Sequence, residues 1–189
     1  MIPLIDLLAQ VRACQRCELP LGPNPVVRAH QGARLLIIGQ APGTRVHESG
    51  IPWDDPSGDR LRMWLGMDKE QFYDEREVAI VPMAFCYPGK GKSGDLPPPP
   101  LCSKTWHEAL LQHLTGVKTT LLLGKYAQDY YLPDSRGSNL TERVRDWQRW
   151  APDHWVMPHP SPRNQIWLKR NPWFEADVIP ALRDHLAVQ

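Results

Sequence analysis

The chain has 189 residues, enough for one domain with a substantial core, and 22 basic against 21 acidic side chains leave a formal net charge of +1. That balance excludes a global attraction to nucleic acid or to a membrane surface, so any polyanion must be held by a local basic patch. The N-terminal "MIPLIDLLAQVRACQRC" has no basic region ahead of an apolar core, and no apolar run is long enough to span a bilayer, which together predict a soluble, cytoplasmic protein without a membrane partner.

Leu4, Leu7, Leu8 and Val11 recur at helical spacing and predict a short amphipathic helix running into Cys14. Four apolar, β-like runs follow: "RLLIIG" from Arg34, "VAIVPMAF" from Val78, "TTLLLG" from Thr119 and "HWVMPH" from His154. None alternates cleanly, as expected of strands covered on both faces. Helical stretches lie between and after them: "SGDRLRMWLG" from Ser57, "SKTWHEALLQHL" from Ser103, "GKYAQDYYL" from Gly124, and a closing "PWFEADVIPALRDHL". The alternation predicts an α/β fold, a three-layer α/β/α sandwich with a central, mostly parallel sheet of about four strands, forming a single domain over residues 1–189.

Two loops point to a site. "GQAPG" (Gly39, Gln40, Ala41, Pro42, Gly43) follows the first strand, where an open α/β sheet keeps its ligands, and its glycines allow a close backbone approach. "MPHPSPRN" follows the fourth strand, so both loops open on the same sheet edge. Flanking prolines restrict His159 to a narrow range of backbone angles, which suits a hydrogen-bond donor that must act from a fixed position.

The four cysteines are spaced C-x2-C (Cys14, Cys17), a long gap, then C-x15-C (Cys86, Cys102). A cytosolic chain of this size does not need disulfides, so thiols divided in this way suggest a shared metal centre. Zinc ribbons normally show two close pairs, whereas iron–sulfur clusters tolerate one widely spaced pair, so a cluster of the 4Fe-4S kind is the first expectation, with zinc and unligated core thiols as the alternatives. The stiff run Pro97 to Pro100 is expected to hold Cys102 in place.

Taken in order, "CQRC", "GQAPG", "GIPW", "FCYPG", "PLC" and "HPSPRN" resemble the uracil-DNA glycosylase superfamily, most closely its iron–sulfur branch, family four. The resemblance covers nearly the whole chain. It implies a monofunctional DNA glycosylase of base-excision repair that hydrolyses the N-glycosidic bond of uracil, or of a related deaminated base, in DNA. Such an enzyme acts as a monomer on a nucleotide flipped out of the stack or taken from a single strand. Trp53, at the family's aromatic position, would stack on the base, and His159 would donate to the developing base anion. The alternative for Trp53 is a loop indole covering the sheet edge.

Several positions depart from the family pattern. Ala41 stands where another branch has aspartate, and Gln40 replaces a glutamate, so placement of the attacking water falls to Glu48, Asp54 or Asp55. Asp55 is preferred because "PWDDPSGD" resembles the "F-T-G-D-x-S-G-D" of family five; its alternative is a cap for the helix starting near Ser57. Pro82 stands where the family usually has an asparagine that reads the uracil edge, which leaves base choice open and turns attention to the backbone of Gln40 and Met83. For DNA contact the expectation is Ser161, Arg163, Asn164, Lys169 and Arg170 on phosphates, extended by Lys90 and Lys92, with Trp167 as a wedge; the alternative is a solvated charged face. The losses at Gln40, Ala41 and Pro82 also admit a second function, a damaged-DNA-binding module with little or no catalysis.

Overall fold

The computed structural model describes residues 1–189. Helix α1 (Leu4–Arg12) turns Leu7, Leu8 and Val11 inward. Strand β1 (Leu35–Ile38) is followed by helices α2 (Thr44–Ser49), α3 (Pro56–Leu65) and α4 (Lys69–Phe72), then by β2 (Val78–Ile80). A small antiparallel hairpin, β3 (Lys90–Gly91) and β4 (Gly94–Asp95), precedes the long helix α5 (Pro100–His113). The chain continues through β5 (Thr119–Leu123), α6 (Lys125–Tyr131), α7 (Leu140–Arg145), β6 (His154–Met157), α8 (Gln165–Arg170) and α9 (Ile179–Ala187).

The main sheet has the order β2-β1-β5-β6, and every pairing in it is parallel. Side chains alternate between its two faces, as the period-2 geometry of a strand requires. Leu35, Ile37, Leu121, Leu123, Trp155 and Met157 point into one core, with Leu61, Trp64, Phe174 and Leu182 from the helices above. Leu36, Ile38, Leu122 and Val156 point into the other, against Val11, Leu110 and Ala127. Helices on both faces of a parallel sheet make the three-layer sandwich the sequence predicts.

Three local expectations change. The second strand is shorter than the run beginning at Val78: past Ile80 the chain still lies beside β1, with Val81 and Met83 donating to the carbonyls of Ile37 and Gly39, but Pro82 between them has no N–H to give. Helix α5 begins at Pro100, earlier than Ser103, because proline suits the first helical position, so Cys102 sits in a first helical turn and not at the end of an extended strut. The closing helix opens with a π-turn over Phe174–Val178 that gives way to α9 just before Pro180, whose missing N–H cannot extend a regular ladder. Helix α7 was not read from the sequence, although Asn139 and Glu142 form a reciprocal capping box.

The topology locates the site. The chain leaves β1 for β2 on one side, then crosses back over β1 to reach β5. The reversal places a crevice at the carboxyl ends of β1 and β5, the usual ligand position in an open parallel sheet.

Candidate active site

The loops after β1 and β6 meet at that crevice around a cavity of about 140 Å³. Gly39, Gln40, Ala41, Pro42 and Gly43 form one wall, Trp53 and Asp55 a second, and His159 with Ser161 a third. The cavity thus gathers residues from the two loops and from the segment before α3. Pro82, Ser57 and Asp95 complete the lining.

His159 is held on three sides. The backbone N–H of Ser161 donates to its Nδ1 at 3.2 Å, and the Asn164 side-chain amide donates to its carbonyl at 2.8 Å. Its ring lies 5.4 Å from the Trp53 ring, tilted by 32°. Because Nδ1 accepts, the proton of the neutral imidazole resides on Nε2, which makes Nε2 the donor. Burial lowers the His159 pKa to about 4, so the ring is neutral at physiological pH.

Trp53 adopts φ 59°, the only positive φ outside glycine in the chain. Such a conformation in a bulky residue costs on the order of 1–3 kcal/mol and persists only where its surroundings enforce it. The indole lies against Gly39: a Cβ there would stand 2.8 Å from Trp53 Cζ2. Gly39 therefore provides room for the indole.

Asp55 has both readings that the sequence offered. It caps α3, with Oδ1 accepting the Gly58 N–H at 2.8 Å, and it lines the cavity. Burial raises its pKa, against the opposing pull of the Gly58 N–H and of Arg45 and Arg62. Asp54 lies beside it outside the lining, and Glu48 is exposed on α2. A second carboxylate, Asp95, reaches the cavity from β4, with Oδ2 3.8 Å from where a Gly43 Cβ would be. Nothing local in the sequence marks Asp95, because its position depends on the hairpin folding back over the first loop.

The reading of Met83 as a backbone contact to the base is corrected. Its N–H is taken by the Gly39 carbonyl and its side chain is buried in the core. Pro82 faces the cavity instead, and its carbonyl is taken by buried His107, whose Nε2 lies 2.8 Å away and whose Nδ1 lies 2.5 Å from the Tyr131 hydroxyl. Position 82 therefore presents an apolar wall.

The proposed phosphate contacts divide. Lys169 and Arg170 are exposed on α8 and free to meet a backbone. Ser161 Oγ accepts the Arg163 N–H, Asn164 supports His159, and Arg163 Nη1 donates to the Ser93 carbonyl at 2.5 Å, tying the hairpin to the His159 loop. Lys90 and Lys92 are exposed on that hairpin. Trp167 is not a wedge: it packs edge-on against Trp173 and Phe174, and its Nε1 donates to Thr141 at 2.9 Å. The neighbouring Ile166, 64% exposed, is the apolar group that α8 presents to solvent.

Cys14, Cys17, Cys86 and Cys102 converge on a second cavity, bounded otherwise by groups such as Leu19, Pro25, Phe85 and Trp106. All four are free thiols. The Phe85 N–H donates to Cys102 Sγ at 3.3 Å, and the Asn24 backbone supports Cys86 in the same way. Burial raises the thiol pKa of Cys86 and pushes that of Cys102 up to about 12. No three metal-ligating side chains stand close enough to share one ion.

No helix is long and apolar enough to cross a membrane. A family model described as the uracil DNA glycosylase superfamily matches residues 27–183. The match takes in both site loops, Trp53, Asp55 and all of the sheet, and begins after Cys14 and Cys17. With the crevice, its histidine loop and its glycine loop already in place, this chain belongs to the uracil DNA glycosylase superfamily.

Proposed function

We propose that the chain is a monofunctional DNA glycosylase that removes uracil, or a related deaminated base, by hydrolysis of its N-glycosidic bond. The observation that carries this reading is His159: a neutral imidazole fixed by Ser161 so that Nε2–H is its donor, on the wall of a cavity sized for a small planar group. The base must leave the helix stack to enter. There it lies against Trp53, a contact that contributes about 1–3 kcal/mol per base.

Cleavage moves the bonding electrons onto the departing base while positive charge develops on the sugar. The His159 Nε2–H hydrogen bond strengthens as that anion forms, which is the condition for lowering the barrier. Asp55 retains Oδ2 for a water while Oδ1 caps α3, and its raised pKa makes it a better proton acceptor. Water adds to the sugar carbon, and its proton passes toward the carboxylate. Gln40, half-buried beside the glycine loop, offers both a donor and an acceptor to the base edge. Lys169 and Arg170 hold phosphates, and the exposed Ile166 of the same helix serves as the wedge.

The four cysteines are proposed to hold a 4Fe-4S cluster whose contribution is structural: it would tie the end of α1 to the chain after β2 and to α5. A second reading, a damaged-DNA-binding module with little catalysis, is favoured by one observation, the apolar wall at Pro82 whose carbonyl is already engaged by His107. Single-turnover excision on matched single- and double-stranded oligonucleotides carrying uracil, hypoxanthine or xanthine separates the two. Excision at one of these bases supports the glycosylase; binding without excision at any of them supports the module.

A further inference from the structure

We propose that Arg62 and Tyr73 form a clamp that holds Trp53 in its left-handed conformation and so fixes the indole as a rigid wall of the base pocket. The inference rests on the glycosylase reading for its purpose, while the clamp itself rests on geometry. Arg62, on α3, is 6% exposed. Its Nη1 donates to the Trp53 carbonyl at 3.1 Å and to the Tyr73 hydroxyl at 3.2 Å. Its Nη2 is anchored on Asp59 at 2.8 Å. The Tyr73 hydroxyl in turn donates to the Pro52 carbonyl at 2.8 Å. Two consecutive carbonyls, on either side of the strained φ, are therefore held by one network centred on the buried Arg62.

The clamp needs space as well as donors. A Cβ on Gly58 would lie 1.7 Å from the Trp53 oxygen, so the carbonyl can approach α3 only because residue 58 is glycine. The guanidinium also packs against two neighbouring rings, 5.1 Å from the Phe72 ring centre and 5.7 Å from that of Tyr73, which limits its freedom to swing away. A buried arginine that is braced on Asp59 through Nη2 and turns Nη1 to a backbone oxygen is suited to setting a turn. With the carbonyls fixed, the indole is delivered against Gly39 and His159 before any base arrives. Preorganisation of this kind avoids ordering the wall at the moment of binding. Arg62 and Tyr73 touch no substrate and are positioning residues.

The test uses Tyr73→Phe, which removes only the hydroxyl, and Arg62→Lys, which keeps the charge but not the fork. Fluorine NMR of full-length protein carrying fluorinated tryptophan reports the indole directly, the Trp53 resonance being identified by its loss in Trp53→Phe. Tyr73→Phe is expected to shift or split that resonance and no other. In single-turnover excision it is expected to slow the wild-type background by about tenfold, the equivalent of one lost hydrogen bond, and the Trp53→Ala background by less than about twofold. An unmoved Trp53 resonance in both variants, or equal slowing in both backgrounds, would overturn the clamp. If the wild type excises no base, the glycosylase reading fails on its own and the resonance alone decides the clamp.

Discussion

His159→Gln tests the burial of the imidazole through its effect on stability against pH. The histidine pKa is lowered from its ordinary value of 6.5 to about 4, and desolvation is the cause. Between those values the unfolded chain binds a proton that the folded chain refuses. The folded state is therefore favoured above pH 6.5 and loses stability as pH falls toward 4. At pH 5 the loss attributable to His159 alone is about 2 kcal/mol, from 1.36 kcal/mol per pH unit over the interval down from 6.5. Glutamine cannot titrate and can still accept the Ser161 N–H, so it removes this dependence while keeping the local hydrogen bond. Urea denaturation of both proteins at pH 7.5 and pH 5 measures it: the variant should lose about 2 kcal/mol less than the wild type on acidification. His107, also lowered to about 4 by burial, titrates in the same window and leaves a residual slope in both. Parallel stability curves would refute the buried, neutral imidazole.

Gly39→Ala places a methyl group 2.8 Å from Trp53 Cζ2 and should lower stability by about 1–3 kcal/mol in thermal denaturation, with slower excision as the indole shifts. Lys169→Ala with Arg170→Ala should reduce the slope of log affinity against log salt for DNA by about 2, one for each phosphate contact removed. Arg163→Ala should instead release the hairpin from its Ser93 contact, seen as faster tryptic cleavage at Lys90 and Lys92. Cys14→Ser with Cys17→Ser should abolish iron binding and lower the melting temperature, because α1 would lose its attachment beyond Cys14; an unchanged iron content would rule out the proposed ligand set.

The layers and the two site loops were legible in the sequence because they follow from local rules. Apolar runs with helices between them imply a parallel sheet, and a parallel sheet puts the ends of β1 and β6 on one edge, which is why Gly39 and His159 could be paired in advance. Asp55 was legible as a cap because the helix it starts follows immediately. What could not be read depends on contacts distant in the chain. Trp167 looks like an exposed indole among basic residues, yet Thr141 and Phe174 claim it. Arg163 looks like a phosphate ligand, yet a hairpin some seventy residues away accepts its guanidinium. Asp95 and Arg62 carry no local signature, since one depends on that hairpin and the other on Gly58 admitting a carbonyl. Met83 was considered for the base because Pro82 beside it has no polar side chain, yet the Gly39 carbonyl, distant in the chain, takes its N–H.

The central claim is that the His159 Nε2–H stabilises the departing base, and single-turnover excision by wild type and His159→Ala on the same uracil-containing oligonucleotide, at saturating protein, tests it most directly. The account predicts a loss of about 100- to 1000-fold in the excision rate, the usual consequence of removing one donor to a developing anion, with DNA affinity nearly unchanged. Equal excision rates for the two proteins would contradict it.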